Sequence, residues 1–210
     1  MYTSRTAMSI LLVRHGETAS NAARILQTPD IPLSERGLAQ AERVAARLAA
    51  LGAAEIVSSD YERARMTAQR VQRATGAPLE LWPELRERNF GDLRGRAYAD
   101  LGFDPFAADY APPGGEGWDE FHRRAGGAWV RVLERARALR GNLVVVTHGL
   151  VCRAFAEREI GLGGLEAPMA WPNTSLTIIA SDPPPSVELL NCTEHLSGLD
   201  SAPAAALGRA

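Results

Sequence analysis

Strands that alternate with amphipathic helices, two near-continuous apolar strands, and a histidine-glycine pair directly after each of those two predict an α/β fold. Its architecture is a mostly parallel central sheet with helices on both faces. An apolar strand without polar alternation has to be covered on both sides, which an antiparallel sheet open to water on one face does not require. The two histidine-glycine pairs then fall at the carboxyl edge of the strands, where open parallel sheets bind ligands.

Taken in order, Ile10-Leu11-Leu12-Val13 reads as the first buried strand and stops at Arg14-His15-Gly16. Ser34 is placed to cap a helix whose apolar positions Leu38, Ala41, Val44, Ala45 and Leu48 keep a helical spacing up to the terminator Gly52. Glu55 to Ser58 is a short strand, and Asp60 is placed to cap a second helix that runs through Val71 and closes at Gly76. Leu79-Glu80-Leu81 suits an edge strand. A long amphipathic helix from Trp118 to Leu139 is marked by Phe121, Ala125, Ala128, Trp129 and Val132, with Gly141 ending it. Leu143-Val144-Val145-Val146 is the second buried strand, and His148-Gly149 follows it before a helix to about Ile160. Ser175 to Ala180 and Ser186 to Leu190 form a closing hairpin across Pro183-Pro184-Pro185. One domain over 9–196 is expected, with 1–8 and 197–210 as flexible tails.

The chain has 210 residues and a net charge of −2, so no basic excess points to nucleic acid. All 23 basic residues are arginine. Without lysine there is no P-loop lysine, no Schiff base, no pyridoxal phosphate site and no Ser-x-x-Lys acylation centre. No apolar run is long enough to span a membrane, and no charged segment followed by an apolar one opens the chain, so the expected location is the cytoplasm. Cys152 and Cys192 make neither a disulfide framework nor a CxxC site.

Four segments carry chemistry. Around the first histidine stand Arg14, Gly16, Glu17 and Thr18, with Asn21 one turn further on. A strand-to-loop turn exposes the His15 ring, Gly16 lets a ligand approach the backbone, and Arg14 offers a planar fork for phosphate or carboxylate. Around the second, Thr147-His148-Gly149 opens a helix whose first amides can bind an anion. Arg63 lies in the first turn of the helix after Asp60 and faces the same edge, and Leu85-Arg86-Glu87-Arg88 sets a carboxylate between two arginines. Two arginines, two histidines, helix amides and one acid describe a pocket for a phosphoryl group with a proton donor beside it. A metal site would have to use His15, His148, Glu17 and Cys152. Those ligands are scattered and arginines beside them oppose a cation, so no metal and no cofactor is expected. His122 and His195 read as structural, and Glu17 as a hydrogen-bonding partner of its loop.

Leu-Val-Arg14-His15-Gly16-Glu17-Thr18, Ser-Asp-x-x-Arg63-Ala-x-x-Thr-Ala, Leu-Arg-Glu87-Arg-Asn-Phe-Gly-Asp and Val-Thr-His148-Gly together resemble the histidine phosphatase superfamily, the phosphoglycerate mutase-like clan, over most of the chain. The resemblance implies a phosphoglycerate mutase-like fold and a phosphohistidine formed on His15. It further implies that Arg14, Arg63, His148 and Gly149 hold the phosphoryl oxygens, with Asn21 as a further contact, and that Glu87 gives and takes the proton. The chain departs from the common pattern at Gln27-Thr28 and at Gly115-Glu116-Gly117, the latter removing a side-chain cap from the long helix.

Residues 90–121 hold seven of the chain's aromatics, among them Phe90, Tyr98, Phe106 and Trp118, and seven acids against Arg94 and Arg96. A lid of that composition disfavours a bisphosphate and favours an apolar leaving group. The expected function is therefore hydrolysis of a small phosphomonoester substrate, with no nucleic-acid or membrane partner and with self-association left open. Mutase-like phosphoryl transfer is the alternative, and a non-catalytic phosphoryl-binding module is a further one.

Overall fold

The computed structural model describes residues 8–199. Most of the expected flexible tails, 1–7 and 200–210, lies outside the described residues. Their described ends are tied down: the Met8 carbonyl accepts from the Ser181 amide at 3.1 Å, and the Ser197 amide donates to the Glu194 carbonyl at 3.1 Å.

The first strand, β1 (Ser9–Arg14), is followed by a single turn, α1 (Ala19–Ala22), and by α2 (Glu35–Leu51). The Ser34 hydroxyl accepts the Gly37 amide and caps α2, and Gly52 ends it with φ 77°. Next come β2 (Ala53–Ser58), α3 (Glu62–Thr75) and the short edge strand β3 (Leu79–Leu81). A non-regular segment leads to α4 (Trp118–Ala138), β4 (Asn142–Thr147), α5 (Gly149–Arg158) and the hairpin β5 (Leu176–Ala180) and β6 (Ser186–Cys192). As its glycine-rich lead-in implies, α4 has Gly117 as N-cap and no side-chain cap.

The α/β fold is as the sequence predicts. The six strands lie in the order β3-β2-β4-β1-β5-β6, parallel from β3 to β1 and antiparallel where β5 and β6 join. Strand side chains alternate between faces, so each apolar strand feeds two cores. Ile10, Leu12, Val57, Leu143 and Val145 pack with Phe121, Trp129 and Val132 of α4 and Phe155 of α5. Leu11, Val13, Ile56, Val144 and Val146 pack with Val44 and Leu48 of α2 and Ala64, Ala68 and Val71 of α3. Each fully buried large side chain contributes roughly 1.5–3 kcal/mol, so this double cover fixes β1 and β4 at the centre as the rigid base of whatever follows them.

One local expectation is corrected and another is widened. Asp60 does not cap α3. Its carboxylate takes a two-pronged ion pair from Arg86, the Nε bond at 2.7 Å, and the N-cap position falls to Tyr61 with no side-chain bond. A bidentate charge-assisted pair outcompetes a single cap hydrogen bond. The role of Gly16 is wider than expected: whatever it does for a ligand, it is needed for α2, because a Cβ there would lie 2.6 Å from the Gly37 carbonyl oxygen, and a Cβ on Gly37 would lie 1.9 Å from that of Glu17. Paired glycines let the start of α2 press onto the loop after β1.

Candidate active site

Strand register builds the site. β1 and β4 are parallel with Arg14 opposite Thr147, so the next residues, His15 and His148, leave the sheet side by side with ring centroids 5.1 Å apart. β2 pairs with β4 so that Ser58 faces Val146, which brings Ser59 to the same edge. The Ser59 hydroxyl lies 2.8 Å from His148 Nε2.

The His15 ring is 2 % exposed and its Nδ1 sits 2.7 Å from the Gly16 carbonyl oxygen. A carbonyl only accepts, so Nδ1 carries the proton and Nε2 is left with a free lone pair. Burial, reinforced by Arg63 and Arg14, holds the His15 pKa well below the usual imidazole range. Burial, Arg63 and His15 do the same for His148. Both rings are therefore neutral at neutral pH.

A small cavity of about 50 Å³ opens over His15, lined by Arg14, Asn21, Arg63, Glu87 and Gly149 among others. Six of the seven site residues expected from sequence meet there. The seventh, His148, lies fully buried beside His15 and is not part of the lining. Arg14 donates through Nη1 to the Trp171 carbonyl, and Arg63 donates through Nη1 to the Thr28 carbonyl at 3.1 Å. The Nε atoms of both arginines and Nδ1 of His148 are buried without a partner among the described residues. Burial pulls Arg63 down to about 10, still protonated at neutral pH. Unsatisfied buried donors of this kind carry a cost of about 1–3 kcal/mol each that an anion in the cavity would relieve.

Asn21 Oδ1 accepts the Thr18 amide at 3.2 Å in a capping box over α1, which leaves its Nδ2 as a donor. Glu87 accepts the Arg88 amide at 3.1 Å through Oε1 and the Leu150 amide at 3.2 Å through Oε2. Burial raises its pKa, and the Leu150 amide and Arg63 oppose that rise in part. Glu17 stays outside, bonded to the Ser34 hydroxyl at 3.2 Å and to Arg36 at 3.2 Å. Cys152 is buried and its thiol pKa is pushed up by that burial. Among the described residues no group of three or more His, Cys, Asp or Glu is arranged to hold a metal ion, and no helix is long and apolar enough to cross a membrane.

Several residues given no role by sequence reasoning hold this geometry. Tyr61 takes the Arg94 guanidinium on its hydroxyl at 2.7 Å and meets the His148 ring edge-on at 5.5 Å. Its position right after β2 was a usable signal. Asn173 Nδ2 donates to the His15 carbonyl at 3.0 Å and reaches Asn21 Oδ1 at 3.3 Å, while the Thr174 amide donates to the Arg14 carbonyl at 3.0 Å. Arg88, 1 % exposed, donates to the carbonyls of Glu116, Pro105 and Tyr110 and lies 3.9 Å over the Trp118 ring, gathering the 90–121 segment around one buried cation. Of that segment's aromatics, Phe90, Tyr98 and Phe106 line the cavity and Phe103 is exposed. None of its acids lines the cavity; six are exposed, and Glu116 is paired with Arg124 at 2.7 Å. His195 sits 3.3 Å from Arg47 Nη1, and burial together with Arg47 lowers its pKa to about 4.

Depressed imidazoles make stability depend on pH. Above about pH 6.5 the folded and unfolded chains both hold His15, His148 and His195 neutral. Below it the unfolded chain binds protons that the folded chain refuses, so stability falls as pH drops, by about 1.4 kcal/mol per histidine for each pH unit. Glu87, raised in the folded state, contributes in the opposite sense, between its unfolded value of 4.5 and its raised folded value. Urea melts between about pH 7.5 and 5.5 are expected to show this decline. A flat profile would contradict the neutral pair.

Fold and cavity together define an α/β protein with an arginine-lined cavity beside a pair of histidines at the carboxyl edge of its parallel strands. The chain belongs to the histidine phosphatase superfamily: the model of branch 1 of that superfamily matches residues 10–193. It is similar to phosphoglycerate mutase-like protein 4 of Arabidopsis thaliana, 37% identical over 163 residues that cover 71% of this chain and 70% of that one. Among solved structures it is similar to Bacillus stearothermophilus YhfR (31% identity, TM-score 0.78), covering 90% of this chain and 100% of that one. It is also similar to a mycobacterial glucosyl-3-phosphoglycerate phosphatase in complex with VO3 (25% identity, TM-score 0.75), covering 89% and 100% respectively.

Proposed function

We propose that this protein is a metal-independent phosphomonoester hydrolase that works through a phosphohistidine on His15, carried by the domain at 9–196 and acting in the cytoplasm on a small phosphorylated metabolite. The observation that carries the proposal is the His15 Nδ1 bond to the Gly16 carbonyl, which leaves Nε2 unprotonated at a cavity lined by Arg14, Arg63 and Glu87. The Nε2 lone pair attacks phosphorus as the ester P–O bond breaks, and protonated Glu87 passes its proton to the departing alkoxide. Glu87, now a carboxylate, takes a proton from water as that water attacks the phosphohistidine. Inorganic phosphate leaves, and His15 and the Glu87 acid are restored. Arg14, Arg63, Asn21 and the α5 amides beginning at Gly149 balance charge on the phosphoryl oxygens, most strongly where it develops in transfer. His148 stands beside His15 and supports it, its Nδ1 being without a partner among the described residues.

Mutase-like transfer is favoured by the phosphoglycerate mutase-like relative. Hydrolysis is favoured by what surrounds the cavity. A mutase must hold a second anionic group, and the third cation of the lining, Arg88, spends its guanidinium on lid carbonyls while Phe90, Tyr98 and Phe106 complete that side. Incubation with 3-phosphoglycerate and with simple phosphomonoesters, reading inorganic phosphate and phosphoryl migration separately, tests the choice. Phosphate release that survives exhaustive chelation is expected, since arginines already balance the charge a metal would otherwise carry. Isomerisation in place of release would establish the mutase reading, and zinc-restored activity after chelation would overturn metal independence.

A further inference from the structure

We infer that a second cavity, which shares Phe106 and Leu150 of its lining with the catalytic one, receives the organic part of the substrate, and that this part is an uncharged apolar ring carried on a spacer. The inference rests on the hydrolase reading above and names the substrate class of the same site. The cavity over His15 measures about 50 Å³ and has room for a phosphoryl group and little more, whereas the second measures about 320 Å³. Cavities of that larger size take small organic ligands. Phe106 and Leu150 line both.

The second cavity has an apolar wall and a charge-balanced rim. Trp118 and Phe121, from the start of α4, face Ala154 of α5 across it. The wall is set in advance of any ligand: the Trp118 indole donates to the Ala107 carbonyl at 2.9 Å, Arg88 lies over its ring, and the His122 ring stacks on it at 5.5 Å with an interplanar angle of 24°. Phe106 in turn meets Phe90 and Tyr98 edge-on at 5.5 Å and 5.6 Å, and both of those line the catalytic cavity. The Trp118 faces being taken by Arg88 and His122, a ring in the cavity meets a pre-ordered lining of Phe106, His122, Leu150 and Ala154, which costs little side-chain freedom on binding. At the rim, Arg153 and Arg158 are matched by Glu157 and Asp119, with Arg153 paired to Glu157 at 2.6 Å. Two cations against two carboxylates give a second phosphate or carboxylate no net attraction, and this favours a neutral ring. The Leu150 amide also holds Glu87 Oε2, so a ring resting on Leu150 touches the residue that orients the proton-transfer carboxylate.

The test uses phosphonates, whose P–C bond resists hydrolysis, so that binding is read apart from turnover. Dissociation constants are measured calorimetrically for phenylalkyl phosphonates of increasing chain length and for alkyl phosphonates of the same lengths. The ring is expected to tighten binding by at least about tenfold once the spacer lets it pass Phe106. Ala108→Trp, at an exposed position on the cavity lining, should bring that ratio close to one. Equal affinities of ring and alkyl compounds at every length in the wild-type protein would overturn the inference without recourse to any variant, and so would a ratio unchanged in a folded Ala108→Trp protein. Turnover of ethyl phosphate by the wild-type protein reads the hydrolase proposal by itself. Ring-dependent binding without phosphate release would retain the subsite and discard the hydrolase, whereas release without ring dependence would do the reverse.

Discussion

Replacement of His15 by alanine is expected to lower phosphatase turnover by at least about 10⁴-fold while leaving the cavity able to bind an anion. The two effects separate because different atoms carry them. In the proposed mechanism Nε2 of His15 is the nucleophile, while the donors to the phosphoryl oxygens come from Arg14, Arg63 and Asn21, which other partners hold: the Trp171 carbonyl, the Thr28 carbonyl and the Thr18 amide. Vanadate, which adopts a five-coordinate geometry like the transition state, should therefore still bind His15→Ala, more weakly than the wild-type protein. Rapid quenching of the wild-type protein with a labelled substrate should trap phosphate in an acid-labile, alkali-stable bond that His15→Ala lacks. Appreciable turnover by His15→Ala, or an acid-stable phosphoprotein, would defeat the mechanism. The substitution also leaves the Gly16 carbonyl without its ring partner, a loss of about 1–3 kcal/mol, so the folded fraction has to be measured alongside activity.

How far the site could be read from the sequence follows from which interactions are local. Ser34 and Gly52 mark the ends of α2 because a cap is decided within one turn of chain, and the apolar strands declare a two-sided sheet because burial leaves its mark in composition. Register is not local. Nothing in the sequence states that Arg14 lies opposite Thr147, yet that pairing is what sets His15 against His148. Asp60 was misread because a cap and an ion pair compete for one carboxylate, and its competitor, Arg86, stands on a different element. Asn173 and Thr174 were missed for a topological reason: β5 runs antiparallel to β1, so its amino end reaches the edge where the parallel strands have their carboxyl ends. A search confined to carboxyl ends cannot find such residues. In the 90–121 segment composition was visible, but not the division of labour by which Arg88 gathers carbonyls while Phe90, Tyr98 and Phe106 turn to the cavity. The acids there are solvated and away from the lining, so their repulsion acts through water and falls off within about 8 Å at physiological salt. The commitment of Arg88 is the stronger argument against a second anionic group.

The second large effect concerns Glu87→Gln, and its size should depend on the leaving group. Glutamine keeps the shape of the side chain and can accept one of the Arg88 and Leu150 amides through its carbonyl oxygen while its NH2 group faces the other, and it has no acidic proton to give. An alkyl ester needs that proton as its alkoxide departs, so kcat should fall by about 10²–10⁴-fold. An aryl ester with a stable phenolate needs it far less, and its phosphohistidine formation should fall much less, leaving the water-activation step to limit turnover. A burst of phenolate followed by slow release of phosphate is the expected trace. The pH profile supplies the second readout. Burial raises the Glu87 pKa, so the protonated form persists above the ordinary carboxylate range, and the rate of alkyl ester cleavage should decline as pH rises through that raised value. In Glu87→Gln that alkaline decline should vanish, because no group remains to lose the proton. His15, whose pKa burial lowers, contributes no alkaline decline, because its deprotonated ring is the nucleophilic form of the proposed mechanism. An equal loss for alkyl and aryl esters with the pH profile unchanged would mean that Glu87 only positions Leu150 and the start of α5, and that the proton comes from elsewhere.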